Sequence, residues 1–507
     1  MKFYRTVFTT LLLIILSFSI SAQDQFSGIR KCGVTERSDW MVRYKAGEIA
    51  PVEKSLMTRY VPLRIVVLGD NNGTGYGNPN ELLTSFSLLN SDFEDQNIQF
   101  YISELDFVDR TRYNSYTDNN VGIEMMSELN KPGVINSYIV RDPNGSCGVY
   151  FGAPDALVLG KSCMGTIDRT WSHEMGHLLS LDHTFYGWEG VMEIQNIKLG
   201  EPAPETVAFR GEDVPVERTD GSNCETAGDG FCDTEPDYLM QRWSCERGNI
   251  YRDSLLDPDS VRFAVPAWNI MSYALDNCIN GFSEEQQTAM QTNLTSRGID
   301  DNSGENREAP IGEDLSLIAP PHNTTLDFSD FVELSWSPVE NADFYIVQIN
   351  TSTNFNGSVF STFFVTDTTA KLTEGLNPGV QYHWRVRPVS RYQVDSDFSD
   401  EVFRFRNGAI SVATIDAALD AAITLVPNPV ANGGDLFLSG RDLGLSGRLT
   451  YELIDPAGRI LLSRENLSIT STGINERINT DGLAPGIYFL RLRLNEKLVT
   501  KRVIVTP

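Results

Sequence analysis

The sequence predicts an α+β domain followed by two all-β sandwich domains, and three observations lead there. Between Val61 and about residue 300, strand-like runs such as VPLRIVVLGD alternate with segments whose apolar residues keep helical spacing. From Leu315 to Asn407, and again from 425 to 507, short runs alternate apolar and polar residues between turn signals, the pattern of half-buried strands. Two linker-like stretches, DDNSGENREAPIGED and the alanine-rich SVATIDAALDAA, separate these regions. With 507 residues, the chain is long enough for three domains that each bury a core.

At the N-terminus, Lys2 and Arg5 precede an apolar run centred on LLLIIL and then SISA, which reads as a secretory signal over residues 1–22, cleaved after Ala22. No other stretch approaches the roughly 20 apolar residues of a membrane span. The mature chain is therefore expected to be exported, with its cysteines in an oxidising environment. A formal charge of −27 argues against nucleic acid or anionic membrane as a partner, and suits a soluble protein able to bind calcium.

Residues 23–58 precede the first strand and contain RKCG, Arg30 to Gly33. After VPLRIVVLGD, the residues Leu82, Leu83, Phe86, Leu89 and Phe93 predict a helix; IQFYISEL and VINSYIV predict strands, with a short helix around GIEMMSEL between them. Asp70, Asn72, Thr74, Gly75 and Glu81 loosely imitate an EF-hand loop, but a strand precedes them where that motif needs a helix, so they read as a polar turn. Of the seven cysteines, Cys147 and Cys163 bracket a hairpin-like segment and are paired; Cys224, Cys232, Cys245 and Cys278 allow three connectivities.

Chemistry concentrates in HEMGHLLSLDH, His173 to His183, which holds three of the five histidines. On a helix starting near Asp168 as N-cap, with Trp171, Met175 and Leu178 on its apolar face, His173 and His177 stand one turn apart on one side. His183 is too far along to join them on a continuous helix, so the helix must end near Ser180 and the chain turn back. Three imidazoles with a fourth position left for water is the open arrangement of a catalytic zinc. Glu174, beside the first ligand, is placed to take the proton from that water and pass it to a leaving amine. After His183 regular periodicity fades. GDGFCDTEPD, Gly228 to Asp237, is dense in oxygen ligands, and Ser283 with Gln286 forms a capping box opening a last helix, which closes the domain near residue 299. His322 and His383 have no clustered ligands nearby in sequence and are not read as a metal site.

HExxHxx(G)xxH resembles the metzincin zinc peptidases, and the following Thr184 and Phe185 make it most similar to their pappalysin (cytophagalysin and ulilysin-like) branch. The resemblance implies an α+β metzincin-like catalytic domain over residues 59–300. Ser180 stands where the family usually has glycine, at a cost on the order of 1 kcal/mol if a positive φ is required. WNIMSY, Trp268 to Tyr273, resembles the family's Met-turn, which makes Met271 an apolar floor under the imidazoles and Tyr273 a donor to the oxyanion. The same resemblance pairs Cys245 with Cys278 and Cys224 with Cys232, and leaves Cys32. It also implies a calcium loop using Asp229, Thr234 and the carbonyl of Cys232. RKCG resembles a cysteine-switch propeptide over residues 23–58, in which the Cys32 thiolate takes the water's place on zinc, with Arg59 as the activation cleavage site. Asn277, with Asp276 before it, stands where an aspartate would favour basic residues after the cut, so that preference is not expected.

Residues 315–407, with Trp336, Tyr345 and Trp384 placed as core aromatics, resemble a fibronectin type III-like sandwich. The early PNP and the closing GIYFLRL and TKRVIV of residues 425–507 resemble the C-terminal sorting domain of bacterial type IX secretion cargo, which implies the outer-membrane secretion machinery as a partner and a secreted or cell-surface product. The expectation is a secreted zinc-dependent endopeptidase, made as a latent zymogen and acting on protein or peptide substrates. The alternative is a surface adhesin or binding scaffold on an inactive metzincin domain, against which the retained Glu174 discriminates.

Overall fold

The computed structural model describes residues 37–189, 200–238, 255–300, 307, 309–327, 331–355, 361–373, 376–408, 417–441, 447–456, 458–469, 473–494 and 497–507. The signal peptide, Cys32 and Cys245 lie outside the described residues. The chain divides into two compact units, residues 1–309 with 391–395, and residues 310–390 with 396–507.

Unit 1 is built on a five-stranded sheet. Strand β1 (Arg59–Gly69) lies between β2 (Ile98–Asp109) and, further along the chain, β4 (Ile135–Val140), both parallel to it. Two short pieces, helix α3 (Thr111–Asn114) and strand β3 (Ser115–Tyr116), follow β2, and β3 pairs with β5 (Asp142–Pro143). At the other side of the sheet β7 (Ala156–Gly160) runs parallel to β4 and carries the antiparallel edge strand β6 (Gly148–Phe151), giving the order β2-β1-β4-β7-β6. Nearly every residue of β1 is buried, which is why VPLRIVVLG reads as a continuous apolar run rather than an alternating one.

Crossovers between parallel strands need helices. Helix α2 (Pro79–Phe93) joins β1 to β2 and buries Leu82, Leu83, Phe86, Leu89 and Phe93. Helix α4 (Asn119–Leu129) packs Met125 and Met126 against Val66, Tyr138 and Val158 of the sheet. Helix α5 (Thr170–Leu178) is buried on all sides from Trp171 onward, and Phe86 of α2 meets Trp171 edge-on at 5.8 Å between ring centres. Its N-cap is Arg169 rather than the expected Asp168, although Asp168 Oδ1 still accepts from the Thr170 amide at 2.9 Å. A hairpin of β8 (Thr206–Phe209) and β9 (Glu212–Pro215) interrupts the irregular region. Helix α6 (Glu284–Arg297) opens on the capping box of Ser283 and Gln286.

The part of residues 23–58 that is described packs on this unit. Helix α1 (Asp39–Lys45) is capped by Ser38; Trp40 Nε1 reaches Ser296 Oγ at 3.4 Å, and the Val52 amide donates to Thr292 Oγ1 at 2.9 Å, both on α6. Arg59 requires a correction. It is the first residue of β1, 8% exposed, with its guanidinium on Asp300, Gln291 and Thr295, so no protease reaches that bond while the strand is in place. The polar turn after β1 closes on itself through the Asp70 amide and Thr74 O, and Asp70 pairs with Arg141.

Unit 2 contains two sandwiches. The first sets a three-stranded sheet (Leu317–Ala319, Val332–Trp336 and Thr369–Leu372) against a five-stranded one that includes Phe344–Asn350 and Gln381–Val389, over a core of Trp336, Tyr345, Tyr382, Trp384 and Phe405. The second repeats that count, with Ile423–Val426, Asp435–Arg441 and Gly473–Asn479 in the smaller sheet and the hairpin of Gly486–Leu494 and Lys497–Thr506 inside the larger. His322 rests against Phe403, and His383 Nε2 lies 3.1 Å from Gln381 Nε2.

Candidate metal centre

Helix α5 sets His173 and His177 one turn apart, and the turn after it returns His183 to them. The Ser180 amide bonds to His177 O and the Leu181 amide to Gly176 O, with Ser180 at φ +74°: a Schellman motif with serine at its left-handed position. His177 Nε2 consequently lies 3.2 Å from Nε2 of His173 and 3.2 Å from Nε2 of His183.

The outward nitrogens are all engaged. His173 Nδ1 is 2.7 Å from Ile270 O, His177 Nδ1 is 2.8 Å from Leu181 O, and His183 Nδ1 is 3.2 Å from Glu189 Oε1. A carbonyl oxygen only accepts, so the Nδ1 atoms of His173 and His177 carry the protons, and in a neutral ring Nε2 is then a bare lone pair. Burial, reinforced by His183 and His173, holds the His177 pKa well below its ordinary value; burial takes His183 down to about 3. Neutral rings with converging lone pairs repel one another unless a positive charge stands between them, so the donor set fits a divalent metal ion. Around it, Phe185 stacks on His183 at 4.4 Å, and the Tyr273 ring lies 5.3 Å from His183 and 5.8 Å from His173.

Glu174 is 1% exposed and lies against the edge strand: a Cβ on Gly148 would stand 2.6 Å from Glu174 Oε1. Met271 is fully buried beneath the helix, where a Cβ on Gly176 would collide with its sulfur. The turn carrying Met271 is fixed by its own amide on Asn269 Oδ1 at 2.8 Å and by Asn269 Nδ2 on Gln286 Oε1 at 2.8 Å, which ties it to the cap of α6. Asp237 Oδ2 accepts from Thr184 Oγ1 and Ser272 Oγ, both at 2.7 Å, bridging the third histidine's neighbour to that turn.

Four of these residues were missed in the sequence: Gly148, Gly176, Glu189 and Asp237. A glycine inside a helix weakens it by up to about 1 kcal/mol relative to alanine, and one inside a strand marks a close approach, so Gly176 and Gly148 carried a readable signal. Glu189 carried none, and Asp237 stood out only as the last acid of the oxygen-rich loop, since only the tertiary turn assigns their partners.

In the Gly228–Asp237 loop, Asp229 Oδ1 accepts from the Phe231 amide at 3.0 Å and from Thr234 Oγ1 at 2.9 Å, and Oδ2 accepts from Gln286 Nε2 at 3.0 Å. The Cys232 amide donates to Glu285 Oε2 at 2.9 Å. Burial raises the Asp229 pKa to about 7. Glu217, 4% exposed, points Oε2 at Gly228 with no hydrogen-bond partner, and burial followed by the charges of Asp229, Asp237 and Glu235 raises its pKa to about 9. An all-oxygen set beside an orphaned buried carboxylate oxygen fits a hard divalent cation. Disulfides join Cys147 to Cys163 and Cys224 to Cys232; Cys278 is also disulfide-bonded. Asp276 is half-buried near Arg169, whose guanidinium also pairs with Asp92, and Asn277 is exposed.

Residues 424–506 match the secretion system C-terminal sorting domain. The chain is secreted or displayed at the cell surface. It is 24% identical over 306 residues to extracellular metalloprotease 1 of Coccidioides posadasii, spanning 54% of this chain and 92% of that protein. It is 25% identical over 246 residues to an extracellular metalloprotease of Colletotrichum graminicola, spanning 45% and 72%. The chain is thus distantly related to extracellular metalloproteases. Among solved structures, the fibronectin(III)-like modules of Clostridium thermocellum CbhA match 38% of this chain and 94% of theirs at 11% identity and a TM-score of 0.16. No helix among the described residues is long and apolar enough to cross a membrane.

Proposed function

We propose that unit 1 is a zinc endopeptidase of the pappalysin branch of the metzincins, made as a latent zymogen and hydrolysing internal peptide bonds of proteins. One observation carries this reading: three Nε2 lone pairs converge while their Nδ1 atoms are held from outside. His173, His177 and His183 would hold the ion. Zinc there would supply Lewis-acid activation of water and of the scissile carbonyl.

The chain's own groups supply the rest. Glu174, confined between α5 and Gly148, accepts the proton of the attacking water and delivers it to the leaving amine. Tyr273, beside the imidazoles, donates its phenolic hydrogen to the developing oxyanion, a contact worth roughly 2 to 4 kcal/mol. Met271 sets the floor against Gly176 and keeps the helix at a fixed height. Ile270 O and Leu181 O hold the first two rings in their tautomer, and Glu189 orients the third. Asp229 and Thr234 with the Cys232 carbonyl are proposed to bind calcium and stiffen the loop beside the site. Cys32 is proposed as the latency ligand. Asp276 sits near the Arg169 cation, which fits the absence of a strong preference for basic residues.

The adhesin reading keeps the metal but has no use for a carboxylate wedged where Gly148 alone makes room for it. Casein digestion by the processed protein and by Glu174→Ala decides between them. The peptidase reading expects a loss of at least about a hundredfold, as for removal of a general base; equal activity would leave the scaffold reading.

A further inference from the structure

Unit 1 holds a second charged centre that peptide hydrolysis does not use, where α1 meets the Gly228–Asp237 loop. Lys45, the last residue of α1, donates to Gly230 O, and its ammonium stands 3.3 Å from the Phe231 ring centre. Arg37, just before α1, donates to Asp182 Oδ2 at 2.6 Å and to Gly228 O at 3.0 Å, and covers the Tyr186 ring. Two cations from one short stretch therefore bind the carbonyls on either side of Asp229. Both side chains are half-buried, a setting that long cationic side chains take where negative charge awaits them. Here Asp229, Glu285 and Asp182 all act on Lys45, while burial lowers its pKa to about 8. Close by, the Glu217 Oε2 that has no partner is aimed at Gly228, an oxygen that neither Arg37 nor Lys45 meets.

We infer that residues 37–45 are a cation plug: Arg37 and Lys45, held by the Gly228 and Gly230 carbonyls that flank Asp229, neutralise the Gly228–Thr234 loop in place of a divalent cation, so the N-terminal segment and calcium compete for the same loop. This rests on the calcium reading above and adds its regulation. The segment also has a route of release. Between α1 and β1, residues 51–54 are exposed and irregular, and Leu56 and Met57 are 98% and 79% exposed. A cut there, for example after Lys54, separates the plug from β1 and leaves the buried Arg59 untouched.

The test is calorimetric titration of calcium chloride into the full chain and its Lys45→Met, Lys45→Arg and Lys45→Met/Asp229→Asn variants, with folding followed by circular dichroism. Removing a competitor raises apparent affinity by the reciprocal of the fraction of sites it left free, so Lys45→Met should bind calcium at least about tenfold more tightly than wild type, and Lys45→Arg within about threefold of wild type. The double variant should lose that binding. Trypsin provides a readout in the unmutated chain, since calcium should speed loss of the N-terminal fragment after the cut at Lys54. Equal calcium affinity in wild type and Lys45→Met overturns the exchange and leaves the loop a calcium site; no calcium binding in any form overturns both.

Discussion

Ser180 carries a strain that glycine would not. Its φ of +74° is forced by the Schellman turn that returns His183 to the cluster, and a side chain in that region costs on the order of 1 kcal/mol. The structure offsets this through Asn293 Nδ2, which donates to Ser180 Oγ at 2.8 Å in a buried setting. Ser180→Ala keeps the strain and loses the bond, and should destabilise the fold by about 1 to 2 kcal/mol in denaturant titrations. Ser180→Gly removes both and should stay within about 1 kcal/mol of wild type. Two glycines, Gly148 beside the helix and Gly176 within it, separate structure from chemistry. Gly148→Ala pushes on Glu174 and on the Thr170 methyl at the start of the helix, not on the histidines, and should lower kcat about tenfold or more with zinc content unchanged, since small misplacements of a catalytic group are expensive. Gly176→Ala drives into Met271 and should lose about 1 to 3 kcal/mol of stability. At this scale the histidines and Glu174 were legible because eleven residues contain them. Glu189 and Asp237 were not, because an oxygen that bridges Thr184 to Ser272 has meaning only after the chain has folded over itself.

The elements of unit 1 follow from pattern where one physical signal dominates. The continuous apolar run of β1, the spaced Leu and Phe residues of α2 and the S-x-x-Q start of α6 each led to an element that the structure contains. Helix α6 depends on its cap more than most, because Ser283 Oγ also donates to Asp233 Oδ1 at 2.7 Å and Gln286 reaches both Asn269 and Asp229. Ser283→Ala should therefore cost about 1 kcal/mol or slightly more, read as a lowered thermal midpoint. Other boundaries were hidden. The first described helix is seven residues long and is fixed by contacts with α6 rather than by an amphipathic pattern, so the stretch before β1 read as a propeptide with no predicted helix and Arg59 as its activation cleavage site. Its burial by Gln291, Thr295 and Asp300 comes from residues over two hundred positions away.

Over the whole molecule, the three predicted domains fall into two compact units, with both sandwiches in the second. Alternating strands were enough to predict the sandwiches, whereas nothing in local sequence reports that both belong to one unit. Export belongs to the terminal sandwich. Deleting residues 424–506 should leave the chain in the cell, detected by fractionation and immunoblotting, without changing peptidase activity of the purified remainder. The claim on which all else depends is the metal. Elemental analysis of the purified full chain, after dialysis, measures it directly alongside His177→Ala. The account predicts about one zinc per wild-type chain and a large loss in the variant, in keeping with a three-histidine site. Wild-type protein that folds and contains no stoichiometric zinc, or a variant that retains it fully, would contradict the account.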